Sequence, residues 1–430
     1  DNTACLIYDR FDLWKLDTSN SKPPIRLTDK GREHKVRYRL VRLQSDEKPW
    51  QVGQPLAIRG FRESDKKEQL IQTNWNGSSL TTQRLTAFIP NIIASIQKAK
   101  QADRWIYTLE NFQQSPDLYT QVSNSNPVKL SNLNPQQQNY NWGTAELYRW
   151  TALDGKPATG VVYKPENFDP KKKYPLILYF YETHTDALNQ YIPPTPTGSR
   201  LNISFFVSRG YIVCSPDIHY TTGQPAQSAY NYVVSAAKSL AAKPWIDGKN
   251  MGIQGQSWGG IQVAQLVTMT NIFKAAWSGA PVANMTSAYG GIRWESGLNR
   301  QFQYEKAQSR IGATLWERPD LYIKNSPLFH VPKIFTPMVI MANDADGAVP
   351  WYQGIELFTA MRRLNKPSWM LNYNGEAHNL RERKNQKDIS IREQQFFDWL
   401  LKGDKPAKWL TEGVPAIQKG KEWGLELVDE

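Results

Sequence analysis

Along the 430-residue chain the rhythm of apolar positions changes near residue 140. Before that point, short runs such as 4–8, 12–16, 36–43 and 55–62 alternate or carry aromatic and branched residues. Turn clusters such as Thr18-Ser19-Asn20-Ser21 and Asn74-Trp75-Asn76-Gly77 separate them. Period-two runs bounded by turn formers predict antiparallel strands. One theme recurs. Residues 8–17 read Tyr-Asp-Arg-Phe-Asp-Leu-Trp-Lys-Leu-Asp, and 105–122 contain Trp-Ile-Tyr-Thr-Leu-Glu followed by Pro-Asp-Leu-Tyr-Thr-Gln-Val. An apolar strand followed by an Asp-Leu-aromatic strand, repeated loosely, predicts β-propeller blades. The stretch holds about three blades' worth of sequence, too few to close a ring of four or more. A small β-sandwich is the competing expectation.

Residues 131–142, rich in Asn, Gln and Pro, read as a linker. Beyond them strands alternate with helices, the signature of a sheet covered on both faces. An opening hairpin is expected over 147–150 and 159–163, around Asp154-Gly155. Further strands are expected at 175–181, 211–215, 251–254, 275–278, 338–341 and 369–373. Helices are expected at 201–208, 225–243, 261–270, 351–364 and 389–401, with a long irregular excursion over 281–332. The order predicts an α/β domain at 141–430, built on about eight mostly parallel strands, after an all-β domain at 1–140.

Composition adds little to this. Hydrophobic residues make up 40% and charged residues 21%, ordinary for a globular chain. No apolar run reaches the length of a membrane span. The opening Asp1-Asn2-Thr3 is neither an initiator methionine nor a signal peptide, which points to a processed or truncated chain. A net charge of +12 raises nucleic-acid binding. However, the basic residues are spread along the chain, and the densest runs, Lys171-Lys172-Lys173 and 381–387, lack aromatic interleaving. A solvated basic surface is the expectation. Cys5 and Cys214 lie far apart without metal-type spacing, so neither a metal nor a cofactor is expected, and Cys214 in its apolar run reads as a buried thiol.

The chemistry centres on Gly255-Gln256-Ser257-Trp258-Gly259. A Gly-x-Ser-x-Gly turn between a strand and a helix is the nucleophile-elbow pattern, in which the serine hydroxyl stands above the sheet edge. A serine hydroxyl needs a base within hydrogen-bond reach, and with this elbow the acid and then the histidine follow the serine in the chain. Of five histidines, only His330 and His378 lie after Ser257. His330 has no strand-end acid ahead of it, whereas His378 occupies a loop after the last expected strand. Asp344 and Asp346 both follow the 338–341 strand, and spacing alone does not choose between them. The backbone N–H of Trp258, next after the serine, is one expected oxyanion donor. In the excursion, Val282, Met285, Tyr289 and Trp294 are candidates for the floor of a substrate side-chain pocket.

Residues 141–410 resemble the catalytic domain of the prolyl oligopeptidase family of serine peptidases, including its dipeptidyl peptidase and acylaminoacyl peptidase branches. The matching pieces are Gly255-Gln256-Ser257-Trp258-Gly259-Gly260, Asp346-Gly347-Ala348-Val349-Pro350 and Gly375-Glu376-Ala377-His378, with Gly279-Ala280-Pro281-Val282 and Tyr174-Pro175-Leu176. The resemblance implies an α/β-hydrolase fold behind an incomplete propeller, and it selects Asp346. It also implies Tyr181 as the second oxyanion donor. The chain departs from the family pattern at Ala342-Asn343, where a His-Gly pair is usual, and at Glu182-Thr183-His184, where Gly-Gly-Pro or Ala-Gly-Pro is common.

The resulting expectation is a serine peptidase acting on short peptides through Ser257, His378 and Asp346. Its rivals are a carboxylesterase with the same triad and a non-catalytic binding protein on a hydrolase scaffold. Short peptides are the expected partners, without nucleic acid or a membrane span, and a homo-oligomer is left open. A periplasmic or secreted location is implied by the resemblance alone.

Overall fold

The structure, a computed structural model, describes residues 4–43 and 51–429, so the opening Asp1-Asn2-Thr3 lies outside them. The chain divides into two compact units. The first contains residues 1–140 and, from further along the chain, Asp186–Pro193; the second contains 141–185 and 194–430.

The first unit is built from antiparallel sheets in chain order. A three-stranded sheet (Ala4–Tyr8, Leu13–Asp17, Ile25–Arg26) is followed by two four-stranded ones. These comprise Val36–Val41, Pro55–Arg62, Glu68–Trp75 and Leu80–Arg84, then Ile92–Lys98, Trp105–Asn111, Gln114–Gln121 and Val128–Lys129. Four-stranded meanders of this kind are propeller blades, and the unit is a partial propeller. The sequence repeat has a structural cause. Asp12 is buried and accepts from Thr28 Oγ1 at 2.7 Å and Gly31 N at 3.2 Å. Asp117, equally buried, accepts from Ser131 Oγ at 2.7 Å and Leu133 N at 2.9 Å. In each case the aspartate of the Asp-Leu-aromatic strand pins the chain leaving the blade's last strand. The segment Asp186–Pro193 falls inside the stretch expected to be wholly α/β, yet packs with this unit. Asp186 bonds Arg37 Nη2 at 2.6 Å and Lys66 Nζ at 2.9 Å.

The second unit holds one eight-stranded sheet, here labelled β1 Thr144–Thr151, β2 Pro157–Lys164, β3 Tyr174–Tyr179, β4 Ile212–Pro216, β5 Ile246–Gln256, β6 Ala275–Gly279, β7 Met338–Met341 and β8 Ser368–Leu371. The spatial order is β1-β2-β4-β3-β5-β6-β7-β8, antiparallel through β1, β2 and β4 and parallel from β4 onward. That is the α/β-hydrolase arrangement. Helices α1 Ile203–Ser208, α2 Pro225–Ala241, α3 Trp258–Leu266, α4 Tyr352–Arg363 and α5 Arg383–Phe397 cover both faces. Leu176 and Leu178 of β3 share one buried cluster with Val233 and Val234 of α2, Val263 of α3 and Leu357 of α4. On the opposite face Trp277 of β6 packs edge-on to Phe396 and at a tilt to Phe397 of α5, with ring centroids 5.8 and 6.5 Å apart. Strands buried on both sides read as continuous apolar runs, which is why β3, β4 and β7 stand out in the sequence. The basic run 381–387 enters the first turns of α5, and the excursion over 281–332 folds into short helices at Met285–Tyr289, Gln301–Glu305 and Pro319–Lys324. No helix among the described residues is long and apolar enough to cross a membrane.

One buried acid stands out on α5. Glu393 is 5% exposed, and burial pushes its carboxyl up to about 8 against a lowering hydrogen bond from Gln254. The folded chain therefore keeps this proton after the unfolded chain has lost it. Stability from this group is complete below the ordinary glutamate range and declines as pH rises towards 8. Glu393→Gln is expected to leave thermal stability near pH 4 almost unchanged and to raise it at pH 8 by an amount on the order of a few kcal/mol, read from denaturation curves at the two pH values.

Candidate active site

The elbow is a consequence of three glycines. Strand β5 ends at Gln256, and Ser257 turns the chain into α3 with φ 60° and ψ −113°, a conformation costly for a residue with a Cβ. A Cβ at Gly255 would strike the backbone of Gly259, and one at Gly260 would strike the carbonyl of Gly279. Only glycine lets the strand, the turn and the helix approach so closely. Ser257 N donates to Gly279 O at 2.8 Å, and Ile261 N closes back on Ser257 O at 3.0 Å. Trp258 opens the helix, so its N–H has no acceptor within the helix and remains beside the serine.

His378 comes from the loop after β8. Its Nδ1 lies 2.7 Å from Asp346 Oδ2, and the carboxylate is only 2% exposed. The other oxygen, Oδ1, accepts from Ala348 N and Val349 N, both at 2.8 Å. With three donors on Asp346, its imidazole partner carries a proton on Nδ1 and presents Nε2 as acceptor. Asp344 does something else. It accepts from Gly375 N at 2.7 Å and Asn374 Nδ2 at 2.6 Å, fastening the loop that leads to His378. His330 lies elsewhere, its Nε2 3.2 Å from Lys324 O.

Ser257 and His378 line one cavity of about 440 Å³, together with Tyr181, Glu182, His184, Arg200 and Asn379. Desolvation pushes the His184 imidazole down to about 4, so at neutral pH it is an uncharged wall of this cavity. The Tyr181 hydroxyl accepts from Gln308 Nε2 at 2.8 Å. A second, much smaller recess of about 20 Å³ also opens on Ser257 and includes Val282 and Met285. Tyr289 and Trp294 line neither cavity. Tyr289 is buried behind the recess, its hydroxyl 2.6 Å from Glu305 Oε1 and its ring packed edge-on to Tyr322. Trp294 sits in an exposed turn, 56% accessible. Packing inside the excursion claims the first, and the second is left largely in solvent.

The prolyl oligopeptidase family model matches residues 197–404. That stretch of the second unit belongs to the prolyl oligopeptidase family. Dipeptidyl-peptidase 5 of Porphyromonas gingivalis is 26% identical over 276 residues, which are 59% of this chain and 37% of that protein. An uncharacterized peptidase of Bacillus subtilis, YuxL, is 26% identical over 251 residues, 55% of this chain and 35% of its own length. The matches thus take in little more than a third of these curated relatives. Among solved structures, dipeptidyl peptidase 4 of P. gingivalis superposes with a TM-score of 0.69 at 16% identity, covering 92% of this chain and 54% of that one. Acylaminoacyl peptidase of Pyrococcus horikoshii gives 0.67 at 16% identity, covering 97% and 64%.

Where this prolyl oligopeptidase family domain departs from the family pattern, the structure supplies a reason. Asn343 donates from Nδ2 to Ala377 O at 2.7 Å and accepts from Tyr373 N at 3.3 Å, tying the acid-bearing loop to the one that carries His378. Gln256 Nε2 donates to the His378 carbonyl at 2.9 Å, and Ser199 Oγ to Asn379 Oδ1 at 2.5 Å. Buried Glu376 accepts from Arg381 N, Glu382 N and Asn385 Nδ2 at 2.7–3.0 Å. Arg300, 1% exposed, donates to the Ala348 carbonyl and so braces the loop presenting Asp346. Sequence reasoning found none of these supports. Gln256 and Glu376 stand inside the motifs that carry the resemblance and Asn343 at a departure from them, which was the available signal. Proton NMR on histidine-labelled protein is expected to show a low-field His378 Nδ1–H resonance that disappears in Asp346→Ala and persists in Asp344→Ala.

Proposed function

We propose that the chain is the catalytic part of a serine peptidase that hydrolyses short peptides through an acyl-enzyme. The observation that carries this reading is a serine on a strained elbow facing the same cavity as an imidazole whose far nitrogen is held by a buried carboxylate. In this reading Ser257 Oγ attacks the scissile carbonyl while His378 Nε2 takes its proton. Asp346 holds the tautomer and stabilises the imidazolium that forms. The Trp258 N–H and the Tyr181 hydroxyl receive the developing oxyanion, each such donor being worth roughly a hundredfold to a thousandfold in rate. His378 then passes the proton to the leaving amine, and water, activated the same way, releases the acyl group. No organic cofactor or metal enters these steps.

The relatives support peptide over ester substrates, since the proteins matched in sequence are named as peptidases. The small recess beside Ser257 favours a short side chain on the residue before the cleaved bond, because about 20 Å³ accommodates little more than a methyl-sized group.

A fluorophosphonate probe is expected to label the full chain at Ser257, with no labelling of Ser257→Ala. Turnover of aminoacyl anilides should fall roughly a thousandfold or more in His378→Ala and Asp346→Asn. Alanyl substrates should exceed phenylalanyl ones in kcat/KM by roughly tenfold or more, since a methylene's worth of misfit alone shifts rates about tenfold. An unlabelled chain would mean that Ser257 is not a nucleophile.

A further inference from the structure

Tyr181 stands at the head of a hydrogen-bonded file that begins at a guanidinium. Arg293 Nη2 donates to Gln303 Oε1 at 3.1 Å, Gln303 Nε2 to Gln308 Oε1 at 3.0 Å, and Gln308 Nε2 to the Tyr181 hydroxyl oxygen at 2.8 Å. The direction of this file is not free. A guanidinium has donors and no acceptor, so Gln303 must turn its oxygen towards Arg293 and its N–H groups towards Gln308. Gln308 must then do the same towards Tyr181. The phenol oxygen is thereby an acceptor on that side, and its own proton has to point elsewhere. Tyr181 lines the cavity that also holds Ser257 and His378, so the open direction is into that cavity.

The rest of the surroundings keep the geometry. The Tyr181 carbonyl accepts from Gln262 Nε2 at 2.8 Å, and Gln262 also holds the Trp258 carbonyl at 2.9 Å. The Gln308 carbonyl accepts from Arg310 Nη1, and Arg310 Nη2 reaches Glu182 Oε2 at 3.1 Å. The backbone of Tyr181 is therefore fixed from α3, and the backbone of Gln308 is tied through Arg310 to Glu182, the residue after Tyr181.

We infer that Gln308 is a positioning residue for the oxyanion donor: the Arg293–Gln303–Gln308 file spends its N–H on the Tyr181 oxygen, which aims the phenol proton at the oxyanion and strengthens it as a donor. Donation into a hydroxyl oxygen makes that hydroxyl a better donor in turn, and a cation at the start of the file adds to the effect. This rests on the peptidase reading above and goes beyond it by assigning a role to three residues of the 281–332 excursion.

The test is a double-mutant cycle on the full chain, using an alanyl anilide and measuring kcat and KM separately. Gln308→Leu removes the donor and is expected to lower kcat about tenfold with little change in KM. Gln308→Glu offers an acceptor instead, so the phenol proton turns away from the substrate. Its kcat should fall further than that of Gln308→Leu at neutral pH and recover partly, relative to the unsubstituted chain at the same pH, as pH drops and the new carboxyl protonates. Arg293→Met, at the half-buried start of the file and on the lining of the small recess, should lower kcat about threefold. In a Tyr181→Phe background each of these effects should vanish. Losses that add to that of Tyr181→Phe, or equal losses in Gln308→Leu and Gln308→Glu, overturn the relay. An unsubstituted chain that neither labels with fluorophosphonate nor turns over substrate overturns the peptidase reading itself.

Discussion

Everything at the site depends on the backbone of Ser257 being held at positive φ. The turn that does this is possible because Gly255, Gly259 and Gly260 let strand β5, helix α3 and the end of β6 approach to contact distance. Its conformational cost is met by the hydrogen bond from Ser257 N to Gly279 O and by the buried α3 behind it. The consequence is geometric: the serine hydroxyl is lifted above the carboxyl edge of the sheet, and the first N–H of α3 lies beside it with no helical partner. A sheet in the order β1-β2-β4-β3-β5-β6-β7-β8 sets β5 near its middle. The loops after β3, β7 and β8 can then deliver Tyr181, Asp346 and His378 from its two sides.

Around this turn, the polar groups are arranged as supports, each fixing the next. Asp346 is satisfied by two backbone N–H groups before it meets His378. The backbone of the His378 loop is held from Gln256, Asn343, Asp344 and Glu376, four residues on three separate segments. Polar groups in a low-dielectric interior hold geometry when their partners are fixed, and here most of the accepting oxygens are carboxylates filled by backbone N–H groups of the same loops. The Gln303–Gln308 pair belongs to the same logic, with the arginine at one end imposing a direction on the rest.

The first unit follows a simpler rule. Its blades repeat an aspartate that faces inward and receives the chain leaving the sheet, at Asp12 and again at Asp117. A repeat of one buried acceptor with two or three donors is enough to make two sheets look alike in sequence, even where their strands share few residues. The interruption at Asp186–Pro193, whose acid is met by Arg37 and Lys66, shows that the chain returns to this unit after entering the second.

The sequence alone shows the change from period-two strands to alternating strands and helices near residue 140 and names the elbow serine, because these are local properties of spacing and residue type. It also narrowed the histidine to one loop and the acid to two aspartates. It could not decide between Asp344 and Asp346 from spacing, since both follow β7 and differ only in which way the turn directs them. The family resemblance picks Asp346, and the tertiary structure supplies the physical difference: Asp346 meets the imidazole, Asp344 a glycine N–H. Likewise Tyr289 and Trp294 share their aromatic character with pocket residues, yet one is absorbed by neighbouring rings and the other left in solvent. Gln303 and Gln308 look like ordinary polar surface in the sequence. Their roles arise when a loop with no regular period folds back on the end of β3, and a hydrogen-bond partner some 127 residues away leaves no trace in local spacing.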